Sequence, residues 1–151
     1  MEIRFFKIRE AYGCFSNFSD HYIIVDGTVY RTTEHYFQSR KFLDEENRNA
    51  VIKSSTPFKA AEIGRDRSRP LREDWEDIKL DVMYEALKYK VEQYPDIKAI
   101  LLSTGNNTII EESYKDSYWA EGPDKKGLNM LGKLWMKLRD DIVSSENKIG
   151  G

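Results

Sequence analysis

Glu34 and Lys41 stand seven residues apart in the segment Thr32-Thr33-Glu34-His35-Tyr36-Phe37-Gln38-Ser39-Arg40-Lys41-Phe42. The segment reads as a semi-buried helix. Seven residues is nearly two helical turns, so both side chains leave one face, with Gln38 between them. Their backbone positions lie about 10 Å apart along the axis, beyond the spacing of local helix ion pairs. Acting together, they would do so across something bound between them. A carboxylate and an amine converging on one ligand suit chemistry at a sugar or carbonyl-like carbon. The plain alternative is two solvated charges, which the spacing alone does not exclude.

Three further segments carry candidate chemistry. Arg65-Asp66-Arg67-Ser68-Arg69-Pro70-Leu71-Arg72 concentrates positive charge directly after Gly64. The guanidinium fork suits phosphate, whereas a solvated loop balanced by Glu62, Asp66 and Glu73 is the ordinary alternative. Asp116-Ser117-Tyr118-Trp119-Ala120-Glu121-Gly122 reads as a loop in which Trp119 could stack on a planar ligand and Gly122 permits a tight backbone. Its alternative is a core tryptophan with Asp116 as a cap. Phe15-Ser16-Asn17-Phe18 sets two polar groups between aromatics, or equally two core anchors around an Asx-turn. Cys14 with His35 lacks a feature that would activate a thiol. His21, His35 and scattered acids lack metal-ligand spacing, and no Gly-rich phosphate loop occurs; neither a metal nor a cofactor is expected.

The elements that must position these residues follow from pattern. The chain has 151 residues, 40% of them hydrophobic and 13% aromatic, enough for one domain with a real core. With 24 basic and 26 acidic residues, the net charge of −2 provides no global attraction to nucleic acid or anionic membrane. A single cysteine and the lack of a signal-peptide pattern or long apolar run fit a cytoplasmic protein without membrane contact. Ile3 to Lys7 reads as a strand and Arg9 to Phe18 as an ordered loop. Tyr22–Val25 and Thr28–Arg31 flank Asp26-Gly27, a type I′ hairpin signal. Thr32 or Thr33 caps the helix of Glu34 and Lys41. Thr56-Pro57 opens a helix that ends near Gly64. Asp74 caps a long helix through about Tyr94, with Trp75, Ile78, Val82 and Tyr89 as its apolar stripe. Pro95-Asp96 ends it, and Ile97 to Leu102 forms another helix before Gly105. Asn107 to Glu112 reads as a strand returning to the small sheet. Leu128, Leu131, Trp135, Leu138 and Ile142 mark a final amphipathic helix. The expectation is an α+β fold: a single, mainly helical domain over 1–143 with a small antiparallel sheet, then a flexible tail over 144–151.

In order along the chain, these segments resemble the YbiA/NADAR family of N-glycosidases. The resemblance rests on Gly13 to Phe18, Thr33 to Gln38 with Lys41-Phe42, and Gly64-Arg65 with Pro70 to Trp75. It continues through Lys79, Met83, the Leu102 to Gly105 turn, Asp116 with Trp119, and Gly127 to Gly132. It covers roughly Ile3 to Ile142, and one position departs: Ala120 stands where the family often has glycine. The resemblance implies hydrolysis of a bond from ribose to an exocyclic amine of a guanine-type base. The substrate would be ADP-ribosylated guanine, in a nucleotide or single-stranded DNA, or a phosphoribosylated aminopyrimidine of riboflavin synthesis. It also implies Glu34, Lys41 and Asp116 as catalytic residues. Arg9, Ser16, Asn17, Gly64, Arg65, Trp119, Gly122 and Asn129 would bind substrate. Lys41 would act as a Schiff-base nucleophile with Glu34 as proton shuttle; alternatively Glu34 activates water and Lys41 orients the substrate. A non-catalytic ADP-ribose or nucleotide reader, or a helical interaction module, are the competing functions.

Overall fold

The computed structural model describes residues 1–150. The chain resolves into two compact units, one of Asn17–Gln93 and one of Met1–Ser16 with Tyr94–Gly151. The architecture is α+β, with six helices and two small two-stranded sheets among the described residues.

In the Asn17–Gln93 unit, strands β2 (Ile23–Val25) and β3 (Thr28–Tyr30) form an antiparallel hairpin with Ile24 opposite Val29. Asp26 and Gly27 take φ of 50° and 80°, the left-handed pair that a type I′ turn demands. Ile23, Val25 and Tyr30 point into the core. Helix α1 (Thr33–Ser39) is capped by Thr32, whose hydroxyl accepts from the His35 amide at 3.2 Å. Asp44 caps α2 (Glu45–Lys53), and Thr56 caps α3 (Pro57–Arg65), with proline in its first turn. Phe42, Val51 and Ala60 pack into a core against Ile63. All seven residues of α1 are buried. A helix packed by α2, α3, β3 and α4 (Trp75–Gln93) has no solvent face, so the segment is more enclosed than the semi-buried helix its pattern predicts.

Helix α1 is also shorter than expected: it ends at Ser39, and Lys41 lies beyond it. The Arg40 amide is shared between the Tyr36 and Gln38 carbonyls, and the Lys41 amide bonds to Gln38 at 3.2 Å, a tightened last turn. Arg72 takes over the freed carbonyls, its amide bonding to Lys41 O at 2.9 Å and its Nη1 to Arg40 O at 3.3 Å. The buried face of α4 includes Trp75 and Val82 as expected, but also Lys90. That ammonium donates to Ser19 Oγ at 2.7 Å, a partner the sequence pattern does not reveal.

In the other unit, β1 (Glu2–Phe5) pairs with β4 (Thr108–Glu111), Ile3 opposite Ile109. The predicted strand at 107–112 therefore exists, but it runs parallel to β1 and does not join the hairpin. A parallel pair needs a long connection, and residues 6–107 supply it. A 3-10 turn at Gly13–Phe15 places Phe15 against Trp135, ring centroids 4.9 Å apart, and Trp135 Nε1 donates to Phe15 O. Helix α5 (Pro95–Ser103) starts on its proline, and α6 (Met130–Gly150) contributes Leu131, Trp135 and Leu138 to the core. Leu128 precedes α6 and is exposed. The helix runs past Ile142, so residues 144–148 are exposed helix where a flexible tail is expected; Gly151, the end of that tail, lies outside the described residues. Among the described residues no helix is long and apolar enough to cross a membrane.

Candidate functional site

Glu34 sits in the first turn of α1, where the helix N-terminus favours a negative charge. Asn17 sets that turn in place. Its backbone oxygen accepts from the Glu34 amide at 3.2 Å, and its side-chain oxygen accepts from Thr33 Oγ1 at 2.8 Å. Its amide nitrogen reaches Met83 Sδ at 3.2 Å. The Glu34 side chain is buried, and Oε2 accepts a 2.7 Å hydrogen bond from Gln38 Nε2 one turn later. A carboxylate removed from water requires such donors.

Lys41 leaves the tightened turn after α1 and enters an apolar, cationic environment. Its Nζ lies 5.9 Å from the Phe37 ring centroid and 5.8 Å from that of Trp75, and it donates to Gly64 O at 3.4 Å. Burial, and next the charge of Arg67, lower its pKa from 10.5 to about 8, with Arg65 pushing the same way. Glu34 and Glu76 oppose the shift without cancelling it. About a tenth of Lys41 is then neutral at pH 7, against well under a thousandth for an ordinary lysine.

The arginine run divides by partner. Arg67 donates to Gly64 O, and Arg69 is held by Asn47 at 2.7 Å and Asp66 at 3.4 Å. Arg72 is paired with Asp74 at 2.6 Å. Arg65, at the exposed end of α3, has no hydrogen-bond or ion partner for its guanidinium among the described residues. Gly64 meets Gln38 so closely that a Cβ there would overlap the amide oxygen and stand 2.7 Å from Cδ. Within this unit the fold thus brings Glu34, Lys41, Gly64 and Arg65 to one corner, with Asn17 as the clasp of its helix.

The remaining candidates belong to the other unit. Asp116 Oδ1 accepts from the Tyr118 and Trp119 amides at 2.9 and 2.8 Å, closing an Asx-type turn that carries the half-buried Trp119. Tyr118 stacks edge-on against Trp119, 4.9 Å between centroids. Ala120 is fully buried and outside the left-handed region, so the position does not demand a glycine. The Gly122 amide donates to Ser113 O at 3.1 Å. Asn129 donates to Ile109 O at 2.9 Å and accepts from the Glu111 amide at 3.0 Å, pairing with β4 as a neighbouring strand would. Ser16 ends the 3-10 turn and is buried; Arg9 is exposed on the turn after β1.

The resemblance expects Lys41 to be desolvated among Tyr36, Phe37 and Phe42, and Phe37 does lie beside its amine. Gln38 carries no expected role, and Trp75 and Arg67 are neighbours of Lys41 that the sequence does not mark. The i,i+4 spacing from Glu34 was the available signal for Gln38. Nothing local marks Trp75 as a neighbour of Lys41. His35 is engaged on both ring nitrogens, by Thr32 Oγ1 at 2.8 Å and Ser54 O at 3.1 Å, and burial lowers its pKa. Among the described residues no three His, Cys, Asp or Glu side chains gather as a metal site would require.

The NADAR domain family model matches residues 4–143. N-glycosidase YbiA of Escherichia coli is 46% identical over 141 residues, covering 93% of this chain and 88% of that protein. The NMR structure of the same Escherichia coli protein superposes with a TM-score of 0.89 at 44% identity, over 96% of this chain and 86% of the other. The chloroplastic riboflavin biosynthesis protein PYRR of Zea mays is 39% identical over 95% of this chain, which spans 25% of the maize protein.

Proposed function

This chain belongs to the NADAR domain family, and we propose that it is an N-glycosidase that cleaves the bond between ribose C1′ and an exocyclic amine of a guanine-derived ring. The N-glycosidase name of its near-full-length relative supports the glycosyl-hydrolase class. The riboflavin biosynthesis name of the maize relative favours a phosphoribosylated aminopyrimidine over ADP-ribosylated guanine as substrate. The observation that carries the chemistry is Lys41, a half-buried amine with a pKa of about 8 in the same corner as the buried carboxylate of Glu34.

A ribosylamine opens to an imine when the proton on its nitrogen moves to the ring oxygen, a transfer suited to ionised Glu34. Neutral Lys41 then adds to C1′. Both protons of the lysine amine pass, through Glu34, to the departing nitrogen as its bond to C1′ breaks. The base leaves as a free amine, and C1′ is left doubly bonded to Lys41. Water adds to that imine, releasing the sugar as an aldehyde and restoring the lysine amine. The net reaction consumes one water. Direct attack of a Glu34-activated water on C1′, with Lys41 only orienting the substrate, is the alternative that trapping distinguishes. Arg65, with its guanidinium unengaged, suits the substrate phosphate, and Arg9 is a second candidate for it. Within its own unit Asp116 orders the loop that carries Trp119; a role for that ring on the base rests on the family resemblance alone.

The test presents both substrates to the wild-type protein and to Glu34→Gln and Lys41→Ala, following free base and free sugar. Release from the aminopyrimidine by wild type and its loss in both variants supports the reading. Release only from ADP-ribosylated guanine retains the reaction class and reverses the substrate. Binding without any release, surviving both substitutions, contradicts an enzyme and favours a nucleotide reader.

A further inference from the structure

The buried amide of Gln38 joins the two chemical groups of the proposed site through one glycine. Its Nε2 donates to Glu34 Oε2 at 2.7 Å, while Oε1 is buried without a hydrogen-bond partner among the described residues. The amide lies against Gly64, where a Cβ would stand 2.7 Å from Cδ and 3.0 Å from Cβ of Gln38. The carbonyl of that same Gly64 accepts from Lys41 Nζ. One face of the glycine therefore seats the group that holds the carboxylate, and its carbonyl holds the amine.

The donor end is fixed by charge. An ionised carboxylate accepts, so the amide must present nitrogen to Glu34 and leave its oxygen towards Gly64. A buried acceptor without a partner is costly, and the fold tolerates it here, at the point where the carboxylate is aimed. We propose that Gln38 is a positioning residue: through Glu34 on one side and Gly64 on the other, it keeps the carboxylate ionised and fixes its place relative to Lys41. This rests on the functional reading above. Besides Glu34, the charged groups acting on Lys41 are Arg67 of the turn after α3, Arg65 of α3 and Glu76 of α4.

Gln38→Glu separates positioning from packing, because it keeps the shape that fills the space beside Gly64 while replacing the donor with a second carboxyl. A packing role predicts wild-type kinetics. A positioning role predicts that kcat falls about tenfold or more with KM changed less than about twofold. The added negative charge would also raise the Lys41 pKa and move the acid limb of kcat/KM to higher pH. Gln38→Met, similar in shape without any donor, should raise the Glu34 titration midpoint, read by carboxyl carbon-13 NMR. A Gln38→Glu variant with wild-type kcat and an unmoved acid limb overturns the proposal. So does a Gln38→Met variant whose Glu34 titrates as in wild type. Absence of turnover in the wild-type protein would instead overturn the functional reading, and the NMR titration would still decide the Gln38–Glu34 coupling.

Discussion

Lys41 Nζ lies 3.4 Å from the carbonyl oxygen of Gly64, the last residue but one of α3, although twenty-three positions separate them in the chain. The same lysine is pinned through its own carbonyl by the Arg72 amide at 2.9 Å. Its amine is therefore presented from a doubly anchored backbone, between two aromatic rings and beside Arg67, and not from the solvent face of a helix.

The lowered pKa of Lys41 sets the pH dependence. In the proposed route the neutral Lys41 amine attacks, so kcat/KM should rise about tenfold per pH unit at low pH and level off through about pH 8. A rate profile on the aminopyrimidine substrate from pH 6 to 10 checks this. An acid limb near the ordinary lysine value would contradict the burial of the amine.

The same shift has a stability consequence. The unfolded chain holds the Lys41 proton up to about pH 10.5, whereas the folded chain releases it through about pH 8. Between those values unfolding takes up a proton, so this group's contribution to stability rises with pH; below about pH 8 its buried charge costs the fold a constant amount. Lys41→Met should therefore raise thermal stability at pH 7, by about 0.5–2 kcal/mol, while abolishing turnover. Calorimetric unfolding of both proteins at pH 7 measures it.

Gly64→Ala should be disruptive for a steric reason. The new methyl would overlap the Gln38 amide oxygen, pushing on the side chain that holds Glu34. Overpacking of this kind costs about 1–3 kcal/mol, and a fall in kcat should accompany it. Urea denaturation and steady-state kinetics on the same preparation report the two effects.

Asn129→Ala removes two hydrogen bonds to β4 and strips the strand of its side-chain partner, for a loss of about 1–3 kcal/mol. Asn129 also has φ of 52°, which alanine accommodates poorly. Thermal unfolding should register the change. A variant as stable as wild type would mean that β4 does not depend on this clasp.

How far the sequence speaks depends on whether the cause is local. The hairpin at Asp26-Gly27 and the caps Thr32 and Thr56 are local chemistry, and each appears where its residues require it. The length of α1 was not legible. Its end at Ser39 is enforced by Arg72, a residue distant in sequence that takes the carbonyls of Arg40 and Lys41. The pairing of β4 with β1 escaped for a similar reason, since period-2 apolar patterning does not name a strand's partner. Glu34 and Lys41 could be singled out as a pair, but not for their stated spacing: the helical face invoked for them ends before Lys41. Phe37, local to Lys41, could be read as a desolvating neighbour; what the sequence could not supply was Trp75, brought to the same amine by α4.

The central claim is that Lys41 forms the covalent link to the sugar. Borohydride added during turnover of the phosphoribosylaminopyrimidine reduces an imine to a stable amine, and peptide mass spectrometry locates it. The account predicts a sugar phosphate adduct on the peptide containing Lys41, absent in Lys41→Ala and absent without substrate. Full turnover by wild type with no adduct at Lys41 would contradict it and leave Glu34-activated water as the nucleophile.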